Sequence, residues 1–189
     1  MSEPRIPAER RRRKDPGRRD RIIDACLEVI AEHGVAGTSH RRVAAAAGVP
    51  LGSMTYHFEG MDDLLRAAFT RFADRMATRV ERRTAAATSL EEVLEGFAAD
   101  IDQDVFGTQD ELVTAQELYT LAARRPDFRD ITSDWMARTR ATLTGFVDPD
   151  TAVLLDAMNE GMALHRALHT HPAGAHLVRE ALRRLSRER

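Results

Sequence analysis

Residues 48–58 read GVPLGSMTYHF and hold an unusual set of side chains. Gly52 and Ser53 are small, Thr55 carries a hydroxyl, and Tyr56 and His57 are rings with polar tips. The chemistry open to such a set is recognition rather than bond making. Thr55 can give its hydroxyl to a base or a phosphate and its methyl to a thymine. Leu51 can meet a thymine methyl by apolar contact. Tyr56 and His57 can reach phosphates, contacts that fix register more than sequence preference. Arg41 and Arg42, shortly before, add positive charge beside the same surface. Met54 and Phe58 are four apart and can anchor the opposite side to a core.

Other chemistries find less support. His165, His169, His171 and His176 lie late in the chain. Only His165 and His169 share helical spacing, no Cys lies near them, and a metal site wants three or four supported ligands. Cys26 falls on the apolar side of a helical pattern, where a buried thiol is inert. Nucleophile-elbow, phosphate-loop and zinc-protease motifs are missing, so neither an enzyme nor a cofactor or metal is expected.

Those recognition residues need elements to position them. The composition, 43% apolar and 31% charged, is that of a globular chain. Net charge is −2, yet residues 1–60 hold 11 Lys+Arg against 8 Asp+Glu. A basic N-terminal third on an acidic remainder hints at nucleic acid. A single cysteine excludes an intrachain disulfide and fits a reducing cytoplasm. With no long apolar run, no membrane span is expected. Arg10 to Lys14 belong to an expected disordered basic arm, residues 1–14.

From Asp15 onward the pattern is helical. The first helix should be capped by Asp15, with Pro16 at its first position, and should stop at Gly34. The second runs from an Ser39 cap to Gly48, with Val43, Ala44 and Ala47 inward. The third begins near Leu51, with Leu51, Gly52, Ser53, Thr55 and Tyr56 left outward or at the rim. Two short helices across a glycine turn form a helix-turn-helix. That arrangement also occurs in proteins that touch no DNA, so spacing alone leaves both readings open. A fourth helix spans about 61–83, and five more follow with Ser89, Thr108 and Asp148 as caps and Pro126, Pro149 and Pro172 as punctuation. No segment alternates like a strand. The expected fold is all-α: a three-helix helix-turn-helix unit over 15–60 and a helical ligand-binding and dimerisation unit over 61–189.

Residues from about Arg18 to Phe69 resemble the DNA-binding domain of TetR-family transcriptional regulators, through RIIDACLEVIAEHGVAGTSHRRVAAAAGVPLGSMTYHFEGMDDLLRAAF. ELYTLAARRP, DWMARTR and DAMNEGMALH look like the RcdA-like branch of that family. The resemblance implies that Ser39 and Arg41 contact phosphate or base, that Leu51, Gly52, Ser53 and Thr55 read bases, and that Tyr56 and His57 contact backbone. Pro50, Leu51 and Met61 depart from the family pattern. Many members have Ser then Lys at the first two and a phosphate-contacting Lys at the third.

One recognition helix covers few base pairs, so a dimer is expected to set two of them about 34–36 Å apart. Ala157 and Gly161, four apart and flanked by Leu154, Met158 and Leu168, would admit a close helix neighbour. Leu177, Ala181, Leu182 and Leu185 form a second stripe. The resemblance implies the same four-helix interface. It also implies a cavity in the middle helices for a small hydrophobic effector, with Phe97, Ile101, Tyr119, Trp135 and Met162 as candidate lining. Tyr119 and Trp135 stand out because each has a polar tip that needs a partner. The expected function is a ligand-responsive repressor acting as a homodimer on double-stranded DNA. The rivals are an activator on the same scaffold and a helical ligand-binding or protein-interaction module that does not use DNA.

Overall fold

A computed structural model describes residues 15–103, 108–168 and 175–187. Among the described residues it is helical throughout, with a lone bridge between Thr144 and Val147 and no strand.

Helix α1 spans Arg18–Gly37 and buries Ile22, Ile23, Cys26, Val29 and Ile30 as one stripe. It starts later than expected. Gly17 occupies the cap position without a side-chain bond, and Pro16 lies in the preceding turn. Asp15 is drawn away to Arg21, and its carbonyl accepts from Arg18 N–H at 3.2 Å. Gly34 is the true break, with φ 66 and ψ 171. Only glycine adopts that left-handed conformation freely. The chain then makes one more turn to Gly37.

Helix α2, His40–Ala46, begins where Ser39 Oγ accepts from Arg42 N–H at 3.3 Å. It ends in a two-bond turn: Val49 N–H donates to Ala44 and Gly48 N–H to Ala45, with Gly48 at φ 62. These bonds satisfy the last carbonyls of α2 and aim the chain into the next helix. Helix α3, Gly52–His57, is six residues long and too short to stand alone. It is held by Met54, fully buried, and by Phe58, which closes it with extended backbone. The Arg19 guanidinium lies 5.1 Å from the Phe58 ring centre and ties this end back to α1.

Helix α4, Met61–Thr84, crosses from this head into the rest of the molecule. Asp62 and Asp63 in its first turn and Arg82 and Arg83 in its last complement the helix dipole. Helices α5 (Leu90–Gln103), α6 (Gln109–Arg124), α7 (Arg129–Ala141), α8 (Pro149–Ala167) and α9 (Ala175–Arg187) complete the fold, with a short 3-10 turn at Pro126–Phe128. Thr108 caps α6 and Asp148 caps α8, each accepting an N–H three residues on. One apolar core runs through both ends, from Ile22 and Met54 to Phe97, Leu118 and Leu155.

Ion pairs fasten α4 on each side. Arg71 binds Asp20 and Asp24 of α1, and Arg75 reaches Asp24 at 2.5 Å. Arg138 of α7 holds Glu81 through both carboxylate oxygens, at 2.8 and 2.9 Å, and Asp74 at 2.7 Å. Arg125 grips Asp62 at the head of α4 and holds that carboxyl below its ordinary range. Arg125 and Arg66 also stack on buried Phe128 from 4.8 and 5.1 Å.

Candidate nucleic-acid interface and effector chamber

The anchored side of α3 fixes what its other side shows. With Met54 and Phe58 turned into the core, Leu51 is 54% exposed and Tyr56 75% exposed. Gly52 and Thr55 are exposed between them, and no atom lies within 4 Å of where a Gly52 side chain would begin. Thr55 Oγ1 donates to the Gly52 carbonyl at 3.3 Å, which leaves the hydroxyl oxygen able to accept. The half-buried His57 ring meets Tyr56 edge-on, 4.8 Å between centres, and so steadies the exposed ring.

Ser53, expected outward or at the rim, is 8% exposed and lies on the Met54 side, so it takes the rim and presents little to a base. Ser53 and Met54 are neighbours in a helix, and an anchor near Met54 draws the adjacent small residue into the rim. On α2, Ser39, Arg41 and Arg42 are all exposed. Arg42 also donates to the Gly37 carbonyl, which holds its guanidinium near the end of α1. The basic run from Arg10 to Lys14 lies outside the described residues.

A second polar assembly lies deeper. A chamber of about 50 Å³ is lined by Met76, Arg79 and Val80 of α4, Tyr119 of α6, Trp135, Met136 and Thr139 of α7, and Asp156, Asn159, Glu160 and Ala163 of α8. Tyr119 and Trp135 form one wall, 5.9 Å between ring centres and 9° from parallel, with Phe72 edge-on to Trp135 from behind. The rest of the lining carries two carboxyls, Asp156 and Glu160, with Asn159 and the cation Arg79. Asp156 and Asn159 are 8% and 7% exposed. Asp156 accepts from Arg140 at 3.0 Å. Burial pushes its carboxyl up to about 6 even though Arg140 pulls it down, and Glu160 adds to the rise. Burial and nearby Glu160 push the Tyr119 phenol up as well. Asn159 Oδ1 is buried with no hydrogen-bond partner, an orphan acceptor of the kind native proteins rarely leave.

Sequence reasoning found Tyr119 and Trp135 and missed the two carboxyls. Phe97 is fully buried, and neither it nor Met162 lines the chamber. Phe97 packs inside the core, and Met162 is half-buried against it. The Ile101 side chain lies outside the described residues.

Near the C-terminus the outer face of α8 is apolar and open. Val153, Leu154 and Leu168 are 49%, 55% and 53% exposed, and Leu177 of α9 is 39% exposed. Ala157 is exposed, and Met158 and Gly161 are half-buried beside it. No atom lies within 4 Å of where a side chain on Gly161 would begin. Ala181 is half-buried, and the Leu182 and Leu185 side chains lie outside the described residues. Val153 was not anticipated; it extends the stripe by one residue.

Cys26 is fully buried, and burial pushes its thiol up to about 12. His169 and His171 lie outside the described residues. Among those described, no cluster of three or more His, Cys, Asp or Glu could hold a metal, and no helix is long and apolar enough to cross a membrane.

Comparison with known proteins agrees with this geometry. The family model for bacterial regulatory proteins of the tetR family matches residues 22–68, and a tetracyclin repressor-like C-terminal domain matches residues 81–188. The solved structure of SCO7518, from Streptomyces coelicolor A3(2), is 48% identical with a TM-score of 0.85, covering 91% of this chain and 99% of its own. The multidrug binding protein EbrR in complex with ethidium is 39% identical with a TM-score of 0.76, covering 90% of this chain and 99% of its own. Among curated relatives, the HTH-type transcriptional regulator PksA of Bacillus subtilis is 27% identical over 80% of this chain and 79% of its own. BetI 1 of Chromohalobacter salexigens is 31% identical over 60% of this chain and 57% of its own.

Proposed function

The chain belongs to the TetR family and is a DNA-binding transcriptional regulator, and from that premise we propose an effector-released repressor that works in the cytoplasm as a homodimer on a palindromic operator. The observation that carries the DNA end is α3: anchored by Met54 and Phe58, with Leu51, Gly52, Thr55 and Tyr56 outward. Leu51, Gly52 and Thr55 read base edges in the major groove, and Tyr56, His57, Ser39, Arg41 and Arg42 set the register on phosphates. Ser53 supports the helix from its inner rim. Leu51 brings an exposed apolar side chain and no charge to this surface, so a thymine methyl is its natural partner.

The open stripe of Leu154, Ala157, Gly161 and Leu168 pairs with its copy, α8 and α9 from each chain making four helices. Val153, Leu154 and Leu168 on α8 and Leu177 on α9 are large apolar side chains left exposed, and a partner helix pair would cover them. Pairing places two α3 helices on successive turns of one duplex.

The chamber between α4, α6, α7 and α8 is the effector site. Its stacked aromatic wall and two carboxyls fit a flat aromatic cation better than a neutral hydrophobe. Relatives support that class: EbrR, at 35–39% identity, has been solved with ethidium and with malachite green. The same helix α6 that carries Tyr119 also carries Glu117, whose carboxylate accepts the Val35 N–H at 2.8 Å, just past the break in α1. Ligand entry that shifts α6 therefore moves the head. The effector acts only in so far as it binds the DNA-free arrangement more tightly.

Selection of bound duplexes from a random pool tests the reading. A palindrome with half-sites about one helical turn apart, or a multiple of it, is the expected result. Recovery of no preferred sequence by the intact chain would overturn it.

A further inference from the structure

We propose that Asp156 is the specificity-determining carboxylate of the effector chamber and that a cationic effector binds by taking the place of the Arg140 guanidinium on it. This rests on the reading of the chamber as the effector site and adds how that site chooses.

The chamber holds about 50 Å³, room for a few waters and far less than a flat dye occupies. A ligand must therefore part the walls. Arg140 of α7 and Asp156 of α8 form the ion pair that joins two of those walls, at 3.0 Å. The Asp156 side chain is 12% exposed, and Arg140 is the cation hydrogen-bonded to it. Glu160 is acidic and Asn159 neutral. Arg79 of α4 lines the chamber but is engaged with Glu111, at 2.6 and 3.3 Å. Arg140 is thus the counter-charge of Asp156 in the closed form. A buried carboxylate that loses its ion-pair partner is strongly unfavourable. A neutral ligand that separates α7 from α8 leaves Asp156 in that state. A cationic ligand restores the charge balance while it fills the gap. Arg140 is part-exposed, 32% at its side chain, so it can withdraw into water at little cost. Asn159 Oδ1, buried and unpartnered, offers the incoming cation or an N–H on it an acceptor one helical turn from Asp156.

The exchange gives two substitutions opposite signs, which a merely structural role for either residue would not. Trp135 is the sole tryptophan and stands in the chamber wall, so its fluorescence reports binding at this place. The probes are proflavin, a planar cation, and acridine, the same ring system uncharged at mildly alkaline pH. At that pH Asp156 is ionised. Proflavin should quench Trp135 in the full-length wild-type protein. Asp156→Asn should weaken proflavin about ten-fold or more, while Arg140→Gln should tighten it several-fold, about three-fold or more. Neither should change acridine by as much. Thermal melting of each variant shows that it is folded, and should Asp156→Asn not fold, the Arg140→Gln gain over acridine decides alone. If proflavin quenches wild type but Arg140→Gln weakens it, or both substitutions move proflavin and acridine equally, the exchange is wrong while the chamber remains the effector site. If proflavin leaves Trp135 unquenched, both readings fall.

Discussion

The head and the chamber handle polar groups in opposite ways. The head buries apolar anchors, Met54 and Phe58, and leaves Thr55 and Tyr56 outside. The chamber buries Asp156 and Asn159 and leaves one acceptor without a partner. A surface reader can be built from ordinary packing because its function lies where water already solvates the polar groups. An internal site must hold polar groups out of water, where each unmet hydrogen bond is costly. The head should thus be stable and its recognition separable from its folding. In the chamber, recognition and closure are the same set of bonds.

Phe58→Ala against Tyr56→Ala is the strongest test of that separation. Phe58 is 3% exposed and closes α3, so its truncation should cost about 3–5 kcal/mol, read from the melting transition. DNA binding should be lost with it. Tyr56→Ala should leave the melting curve where it was, because the ring is 75% exposed. It should still lower operator affinity about ten-fold in a gel shift, a loss of about 1.4 kcal/mol. A Tyr56→Ala protein that melts early would break the contrast, since recognition and folding would then share residues in the head as well.

Gly34→Ala probes the seam between the two regions. The backbone there has φ 66, and an added Cβ would come within 2.9 Å of Glu117 Oε1. Strain and displacement of that carboxylate should together cost about 1–3 kcal/mol in thermal unfolding. The more informative reading is the effector response. With Glu117 pushed off Val35 N–H, proflavin should still bind but should release less operator at saturation. Glu117→Ala should uncouple in the same direction without the strain, and Glu117→Gln, which keeps an acceptor, should restore much of the response. Full release in Glu117→Ala would show that the signal travels by another route, through α4 and its pairs Arg71–Asp24 and Arg138–Glu81.

The same contrast explains what the sequence disclosed. Ser39, Thr108 and Asp148 cap their helices as expected, because a cap bonds an N–H three residues away and local spacing decides it. Met54 and Phe58 were legible as anchors, being four apart on a short amphipathic rod. Ser53 was not, because a six-residue helix has too little periodicity to place its rim. Asp15 and Pro16 mark a start that the Asp15–Arg21 pair delays by two residues, to Arg18. The chamber's carboxyls were hidden: Arg140 and Asp156 are 16 residues apart on different helices, and Glu117 and Val35 are 82 apart. Phe97 and Met162 show the converse. Periodicity says that a side chain points inward, and only the packing of distant helices says whether it meets a cavity or more core.

The smallest expected effect is the one most particular to the chamber. The Asp156 carboxyl has been raised by burial from 3.8 to about 6. Between those values the folded chain holds a proton that the unfolded chain has released, so this group stabilises the fold as pH falls, not as it rises. Cation binding runs the other way, because it needs the ionised form. Groups facing Asp156 include Glu160 on its own helix, Arg140 on α7, Tyr119 on α6 and Arg79 on α4. The Tyr119 phenol, pushed up by burial, stays neutral, and the raised Asp156 carboxyl sets the pH dependence. Ethidium carries a permanent charge, so its own ionisation does not enter. Its affinity, read by Trp135 quenching, should be level above about pH 7 and fall as pH drops through about 6, by at most about ten-fold per unit. In Asp156→Asn the fall near 6 should vanish while the weaker binding persists. A wild-type curve that stays flat through 6, with Trp135 still quenched, would mean that the cation never meets the Asp156 carboxylate. The chamber would then resemble the head after all, with its polar groups serving the fold and its ligand held by the aromatic wall alone.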